Sequence, residues 1–379
     1  MPNEVREFDS LIDLLEDLEN REICLENRRE AFSHFINSRA RKLGIPLHGS
    51  FELTPLCNLD CKMCYVHLSK EQLGSRQLLT AGQWMSLIRQ AVDAGMLEAT
   101  LTGGECLLYP EFDQVYLYLQ SLGIRVSLLT NGVLLDEERM KFLTLHRPKG
   151  IQITLYGDSD DVYQRVTGMR QFNAVMQAIE RVKSAKIPLS IAITPNRYLE
   201  DGGERLLRFV HSLGVPFSVN TVLFPPREET GRTQDDDISV DAYIRLQVLR
   251  RMLQGVSVIP IDECELPLPS HKGLSKRGLL CNGGSNSFCV NWQGEMMPCA
   301  SLNDIKAEPL KDGFMLAWQK IRGLVNSYPL PEECGECCYR SVCPSCVAAH
   351  KLGGEIGHAS PQMCIRARKI VAAGLGKCI

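Results

Sequence analysis

The chain has 379 residues, of which 44% are hydrophobic, 23% charged and 7% aromatic; these globular proportions exclude wholesale disorder and leave room for a large α/β domain beside a smaller module. Lys and Arg number 42 against 45 Asp and Glu, a formal net charge of −3, so no basic excess recommends nucleic acid or an anionic membrane as a partner. The departure from ordinary composition is cysteine, with 16 in the chain, most of them in its last hundred residues.

The stretch from Met1 to Arg28 is acidic and amphipathic and lacks the basic start, apolar centre and small-residue cleavage site of a secretory signal. No apolar run approaches the ~20 residues that span a bilayer. The expected location is therefore cytoplasmic, with no membrane partner. Stable disulfides are rare there, so the thiols are read as metal ligands, catalytic groups or small core residues.

Residues 1–48 read as a helical extension. Leu11, Leu14, Leu15 and Leu18 recur at helical spacing, Phe32, Phe35 and Ile36 continue the stripe, and Gly44 and Pro46 end it. A strand and helix rhythm follows. Strands are expected at 50–54, 98–102, 124–129, 151–155, 189–193 and 217–221, with helices between them at 81–94, 112–122, 136–145, 171–184 and 203–213. Such alternation implies parallel strands with crossover helices. Six strands do not close an eight-stranded barrel, so residues 49–222 are expected to form an open partial barrel, active at the C-terminal ends of its strands. Residues 223–270 read as a bridging region: a solvated linker with Pro225-Pro226 and the acids Asp235 to Asp237, then a helix at 241–253 and a strand at 256–259. From 271 to 379 Cys, Gly and Pro rise, and one clear helix (313–326) and a strand at 287–290 stand out. This module is expected to need metal to complete its fold.

The first motif follows the first strand: Cys57, Cys61 and Cys64, spaced x3 and x2 on a loop closed by the aromatic Tyr65. Three thiolates on one loop suit three corners of a [4Fe–4S] cube with one iron open, whereas a structural zinc site takes four ligands, and a zinc knuckle would have to borrow its fourth. After the second strand comes Thr102-Gly103-Gly104-Glu105, after the third Thr130-Asn131-Gly132, and on the fourth Thr154-Leu155-Tyr156-Gly157. Glycines allow close backbone approach, and a carboxylate suits an ammonium partner; a solvated loop acid is the alternative for Glu105. Cys106 follows the Gly-Gly-Glu triplet. It is either a thiol active near the cluster, and so a candidate catalytic residue, or a small buried side chain. The second motif is an array: Cys281, Gly294 and Cys299, then Cys334-x2-Cys337-x5-Cys343-x2-Cys346, then Cys364. Close Cys pairs bind soft metals, zinc included.

Taken together, the C-x3-C-x2-C loop and the Gly-Gly-Glu element resemble the radical S-adenosylmethionine (SAM) enzymes, and the second array resembles their SPASM extension, a module for auxiliary iron–sulfur clusters. The resemblance implies an α/β fold: a partial (β/α)6 TIM-like barrel with a small Cys-rich α+β SPASM module. It implies a [4Fe–4S] cluster on Cys57, Cys61 and Cys64, with SAM bound by Tyr65, Gly103, Gly104, Glu105, Asn131, Thr154 and Arg165. It further implies two auxiliary clusters: Cys334, Cys337, Cys343 and Cys364 on one, and Cys281, Cys299 and Cys346 on the other. Cys289 is either the latter's fourth ligand or a strand-core residue. The spacing departs from the family's usual x3 between Cys343 and Cys346.

The implied chemistry is reductive cleavage of SAM to a 5′-deoxyadenosyl radical, which takes a hydrogen atom from a substrate, with a flavodoxin- or ferredoxin-type protein as electron donor. SPASM enzymes mostly modify peptides or proteins, so a peptide maturase is expected. A small molecule such as a sugar is the enzymatic alternative, and a zinc-binding interaction protein the non-enzymatic one. The family's sulfatase-activating members carry Asp after the cysteine matching Cys299; here that residue is Ala300. The 48-residue extension is too short for the winged-helix leader-binding domain of many relatives, so a separate leader-binding protein is a further possible partner.

Overall fold

The computed structural model describes residues 25–220, 223, 226–227, 230, 236–256, 258, 281–335, 337–339, 343, 346 and 358–375, with only the backbone of 25–30. Cys24, Cys264, Cys378 and half of the strand expected at 256–259 lie outside these residues.

Among the described residues eight strands form one sheet, in the order β6-β5-β4-β3-β2-β1-β7-β8. They are β1 (His48–Glu52), β2 (Glu98–Thr102), β3 (Arg125–Thr130), β4 (Gly150–Thr154), β5 (Leu189–Ile193), β6 (Phe217–Val219), β7 (Ser287–Val290) and β8 (Met296–Met297). Strands β1 to β7 are paired in parallel and β8 runs antiparallel to β7. The six expected strands are present, the first two residues earlier than expected.

The helices are α1 (Leu25–Leu43), α2 (Lys70–Leu73), α3 (Ala81–Asp93), α4 (Phe112–Ser121), α5 (Glu137–Leu145), α6 (Asp160–Thr167), α7 (Phe172–Ser184), α8 (Gly203–Ser212), α9 (Val240–Leu253), α10 (Pro309–Asp312), α11 (Phe314–Asn326) and α12 (Pro361–Ala372). Helix α3 shows the local logic. Thr80 and Gln83 form a reciprocal capping box at its start, and Trp84, Leu87, Ile88 and Ala91 bury one face. Four helices go beyond the sequence reading: the single-turn α2 and α10, and the longer α6 and α12. Helix α6 is short and polar on its outer face, which hides its buried stripe of Val162, Tyr163, Val166 and Thr167. Helix α12 lies against α9, where the Arg366 guanidinium sits 4.4 Å from the centre of the Tyr243 ring.

Period-two alternation divides the sheet. On one face Phe51, Leu101, Leu128, Ile151, Ile153 and Ile191 are buried. Phe51 meets Trp84 of α3 edge-on at 5.9 Å, and Gly132 and α7 close over Ile153. On the opposite, concave face the same strands present Ser50, Thr100, Thr102, Ser127, Gln152 and Thr154, all half-exposed. The barrel interior thus carries hydroxyls and an amide beside the exposed Leu129 and the buried Glu52 and Cys289.

The C-terminal module does not stand apart from the barrel. Strand β7 is hydrogen-bonded to β1, and Phe288 packs at 5.9 Å from Phe51, 5.1 Å from Phe314 and 6.2 Å from Trp318. Trp318 donates its indole N–H to the Gly44 carbonyl at 2.7 Å, which ties α11 to the end of α1. Residues 287–326 therefore share the barrel's apolar core. The physical reason is that this module spends its aromatic residues on β1 and α3 rather than on a core of its own.

Candidate active site

The site is built where the loops after β1, β2 and β3 meet. Chain pairing continues past the strands: Leu53 N donates to Thr102 O at 3.0 Å, Gly104 N to Thr54 O at 2.7 Å and Glu105 N to Leu56 O at 2.9 Å. A Cβ on Gly103 would lie 2.4 Å from Thr54 O, and one on Gly104 2.3 Å from Leu56 O. Gly103 also has φ +141°, which side-chain-bearing residues rarely adopt. The expectation was that these glycines let backbone approach a ligand; in the structure they let the Gly-Gly-Glu loop approach the segment leading into Cys57.

On its other flank the cysteine loop docks on the last turn of α6, with Asp60 N donating to Thr167 O at 2.8 Å and Lys62 N to Val166 O at 3.0 Å. These carbonyls have no partner within their own helix. The signals that bracket α6 were present in the sequence: Ser159 caps its start and Gly168, at φ +73°, ends it.

The three thiols sit on this loop, Cys61 buried and Cys57 and Cys64 half-buried. Nitrogen donors point at two of the sulfurs: Leu59 N at 3.4 Å and Asn131 Nδ2 at 3.6 Å from Cys57 Sγ, and His67 N at 3.3 Å from Cys64 Sγ. Burial, reinforced by the Glu105 carboxylate, pushes the Cys57 thiol up to about 12. A soft cation is what would convert it to thiolate. Thiols already facing N–H donors fit an iron–sulfur cluster, because those donors strengthen once the sulfur carries charge.

Glu105 is fully buried. Its carboxylate accepts from Thr130 Oγ1 at 2.9 and 2.8 Å, Asn131 N at 2.8 Å and Leu107 N at 3.1 Å. In this structure it fastens the β2 loop to the β3 loop and is not a solvated acid. Asn131 extends the fastening, its Nδ2 donating to Asn58 Oδ1 at 2.7 Å. Cys106 is buried against Leu129 O at 3.5 Å and Glu105 Oε1 at 3.7 Å. Burial and the neighbouring carboxylate push its thiol up, which suits a packed side chain. Thr154 ends β4 on the concave face, half-exposed. Arg165 is exposed on the outside of α6, in a shallow groove with Ser159, Asp161, Gln164 and Arg205, and does not converge with the others. Tyr65 is half-buried, its hydroxyl 3.5 Å from Glu52 Oε1. Tyr156 lies within electrostatic reach of all three loop thiols; burial raises its hydroxyl, and they add to the shift.

The remaining cysteines influence one another electrostatically in two sets, while among the described residues no three metal-ligating side chains stand close enough to hold an ion. Burial pushes Cys334 up to about 11, reinforced by Cys343, Cys337 and Cys364. Burial likewise pushes Cys299 up to about 11, reinforced by Cys346 and Cys281, and Cys289 in turn lies within reach of Cys299. Cys289 sits on β7 opposite Ser50, which puts it on the concave face.

The sequence pattern of the radical SAM superfamily matches residues 51–210. Over 291 residues the chain is 26% identical to the antilisterial bacteriocin subtilosin biosynthesis protein AlbA of Bacillus subtilis (strain 168), covering 76% of this chain and 62% of AlbA. It is 25% identical over 345 residues to the AdoMet-dependent heme synthase of Methanosarcina barkeri (strain Fusaro / DSM 804), covering 84% of this chain and 97% of that protein. It is 28% identical over 257 residues to the sporulation killing factor maturation protein SkfB of Bacillus subtilis (strain 168), covering 67% and 60%. The chain thus spans less than two thirds of AlbA and of SkfB. Among solved structures, Streptococcus suis SuiB bound to precursor peptide SuiA superposes with a TM-score of 0.63 at 16% identity, covering 89% of this chain and 80% of SuiB. Native anSMEcpe with bound AdoMet superposes with a TM-score of 0.66 at 19% identity, covering 86% and 96%. These two likenesses establish the shared fold.

Proposed function

Residues 51–210 match the radical SAM superfamily, and from that premise we propose that the chain modifies a peptide or protein by hydrogen-atom abstraction. The observation that carries this reading is the loop of Cys57, Cys61 and Cys64 after β1, held against the Gly103–Glu105 and Thr130–Asn131 loops at the C-terminal ends of β2 and β3. Cys57, Cys61 and Cys64 would hold the first [4Fe–4S] cluster; Cys334, Cys337, Cys343 and Cys364 one auxiliary cluster; and Cys281, Cys289, Cys299 and Cys346 the other. When bound, the first cluster and SAM supply one-electron reduction and the 5′-deoxyadenosyl radical.

The chain's own residues do the rest. The Gly103–Gly104 backbone and Thr154 present hydrogen-bonding groups at the strand ends, where SAM would lie. Glu105 and Asn131 hold the loops that carry those groups in register with the cysteines. The hydroxyls of the concave face offer partners to a peptide backbone. A flavodoxin- or ferredoxin-type protein is the electron donor in this reading, and a separate leader-binding protein completes peptide recognition. AlbA, named for biosynthesis of a bacteriocin, and SkfB, named for maturation of a killing factor, support a peptide or protein substrate. A second reading, a small-molecule substrate, is favoured by the 97% coverage of the heme synthase.

Anaerobically purified protein should be brown, with roughly twelve irons per chain if all three clusters are cubes, and should release 5′-deoxyadenosine when dithionite and SAM are added. Replacing Cys57, Cys61 and Cys64 by Ala should abolish that release and leave the auxiliary iron. Colourless protein with stoichiometric zinc would overturn the proposal. A mass change in a co-expressed short peptide would decide between peptide and small molecule.

A further inference from the structure

Arg227 lies in the stretch that reads from sequence as a solvated linker, yet it is only 6% exposed. Its Nη2 donates to both carboxylate oxygens of Glu52 at 2.8 Å, and Glu52 is itself fully buried at the end of β1. Arg227 N donates to Tyr65 O at 3.2 Å, and the guanidinium carbon lies 5.5 Å from the centre of the Tyr65 ring. Its other two donor nitrogens, Nε and Nη1, are buried and have no hydrogen-bond partner among the described residues. Buried donors left unpaired are costly and rare in native proteins, so such a pair marks a place where an acceptor belongs.

Position narrows the acceptor. Glu52 faces the concave interior, as does Cys289 across β1, and Tyr65 follows Cys64 in the chain. Arg227 therefore stands between the first cysteine loop and the group that contains Cys289. Glu52 already neutralises it, and the flanking cysteines carry negative charge once they ligate metal. A second anion would meet repulsion in a buried setting. A neutral oxygen that only accepts does not, and a peptide backbone offers one at every residue.

We propose that Arg227 anchors the substrate by donating from Nε and Nη1 to neutral amide carbonyls of a peptide lying in the barrel mouth, with Glu52 fixing the guanidinium. This rests on the peptide reading above. The test is calorimetric titration of the cluster-loaded, SAM-bound enzyme with N-acetyl-tetraalanine amide and with its free-acid form, N-acetyl-tetraalanine. The amide should bind, and Arg227→Lys, which keeps the charge opposite Glu52, should weaken it by about tenfold or more with wild-type iron content and circular dichroism. Should Arg227→Lys fail to fold, the double variant Glu52→Gln/Arg227→Gln removes both buried charges together and should show the same loss. Unchanged affinity in the variant that folds, tighter Arg227-dependent binding of the free acid, or no binding of either peptide would each overturn the assignment. If wild-type enzyme releases 5′-deoxyadenosine while any of these holds, the anchor fails and the radical chemistry stands; absence of that release removes the wider reading instead.

Discussion

A methyl group on Gly104 would sit 2.3 Å from Leu56 O and 2.6 Å from Pro55 O, both backbone atoms that cannot swing aside. The two loops would have to separate, breaking the Gly104 N to Thr54 O and Glu105 N to Leu56 O bonds. Gly104→Ala should therefore destabilise the protein by about 2–3 kcal/mol and displace the segment leading into Cys57. The measurement is the melting temperature with the iron count, which should fall by roughly four per chain as the first cluster is lost. Wild-type iron and melting temperature would show that the loops tolerate the methyl group. The glycines are legible as special in the sequence, because Gly-Gly-Glu after a strand is a recognisable pattern. Which surface presses on them is not, since the atoms at 2.3 Å belong to residues almost fifty positions earlier.

At the scale of single elements, the start of the sheet is tied by one carboxylate. Glu98, the first residue of β2, meets His48 of β1 at 3.3 Å, Arg125 of β3 at 3.1 Å and Lys149 just before β4 at 2.6 Å. The His48 hydrogen bond, then Lys149, hold its carboxyl down at about 2. A carboxyl lowered on folding stabilises above its unfolded pKa and loses that contribution as pH falls towards the folded value. Glu98→Gln should thus cost about 1–2 kcal/mol at pH 7, discounted for solvent around Arg125 and Lys149. In denaturant titrations the gap from wild type should hold from pH 7 down to about pH 4.5 and narrow as pH falls from there towards 2; a gap that does not narrow over that range would show that the ion pairs contribute nothing. Helix α6 belongs to this scale too. Its polar outer face (Asp160, Asp161, Gln164, Arg165) masks a buried stripe, and its importance lies in the carbonyls it presents to the cysteine loop.

Across the whole molecule, β7 continues the barrel sheet beyond β1, and Phe288, Phe314 and Trp318 cover Phe51. A chain ending at residue 256 would expose the β1 edge and this apolar face together. Open edges and bare apolar faces drive association. That fragment should be aggregated or unfolded by size-exclusion chromatography and circular dichroism. A soluble, folded monomer would show that the two modules are energetically separate. No helix among the described residues is long and apolar enough to cross a membrane.

By itself the sequence determined the parallel α/β architecture, the cysteine loop after the first strand and the Gly-Gly-Glu element after the second, because these depend on local periodicity and on ligand spacing within a few residues. Tertiary structure alone decided that the C-terminal strands share the barrel's sheet and core, that Glu105 and Asn131 fasten loops, and that Arg227 turns inward to Glu52. Each of these joins residues distant in the chain. Pairing β1 with β7 spans more than two hundred positions, and the Glu52–Arg227 pair spans 175. No local pattern encodes such pairings; burial and hydrogen-bond satisfaction select them once the chain has folded.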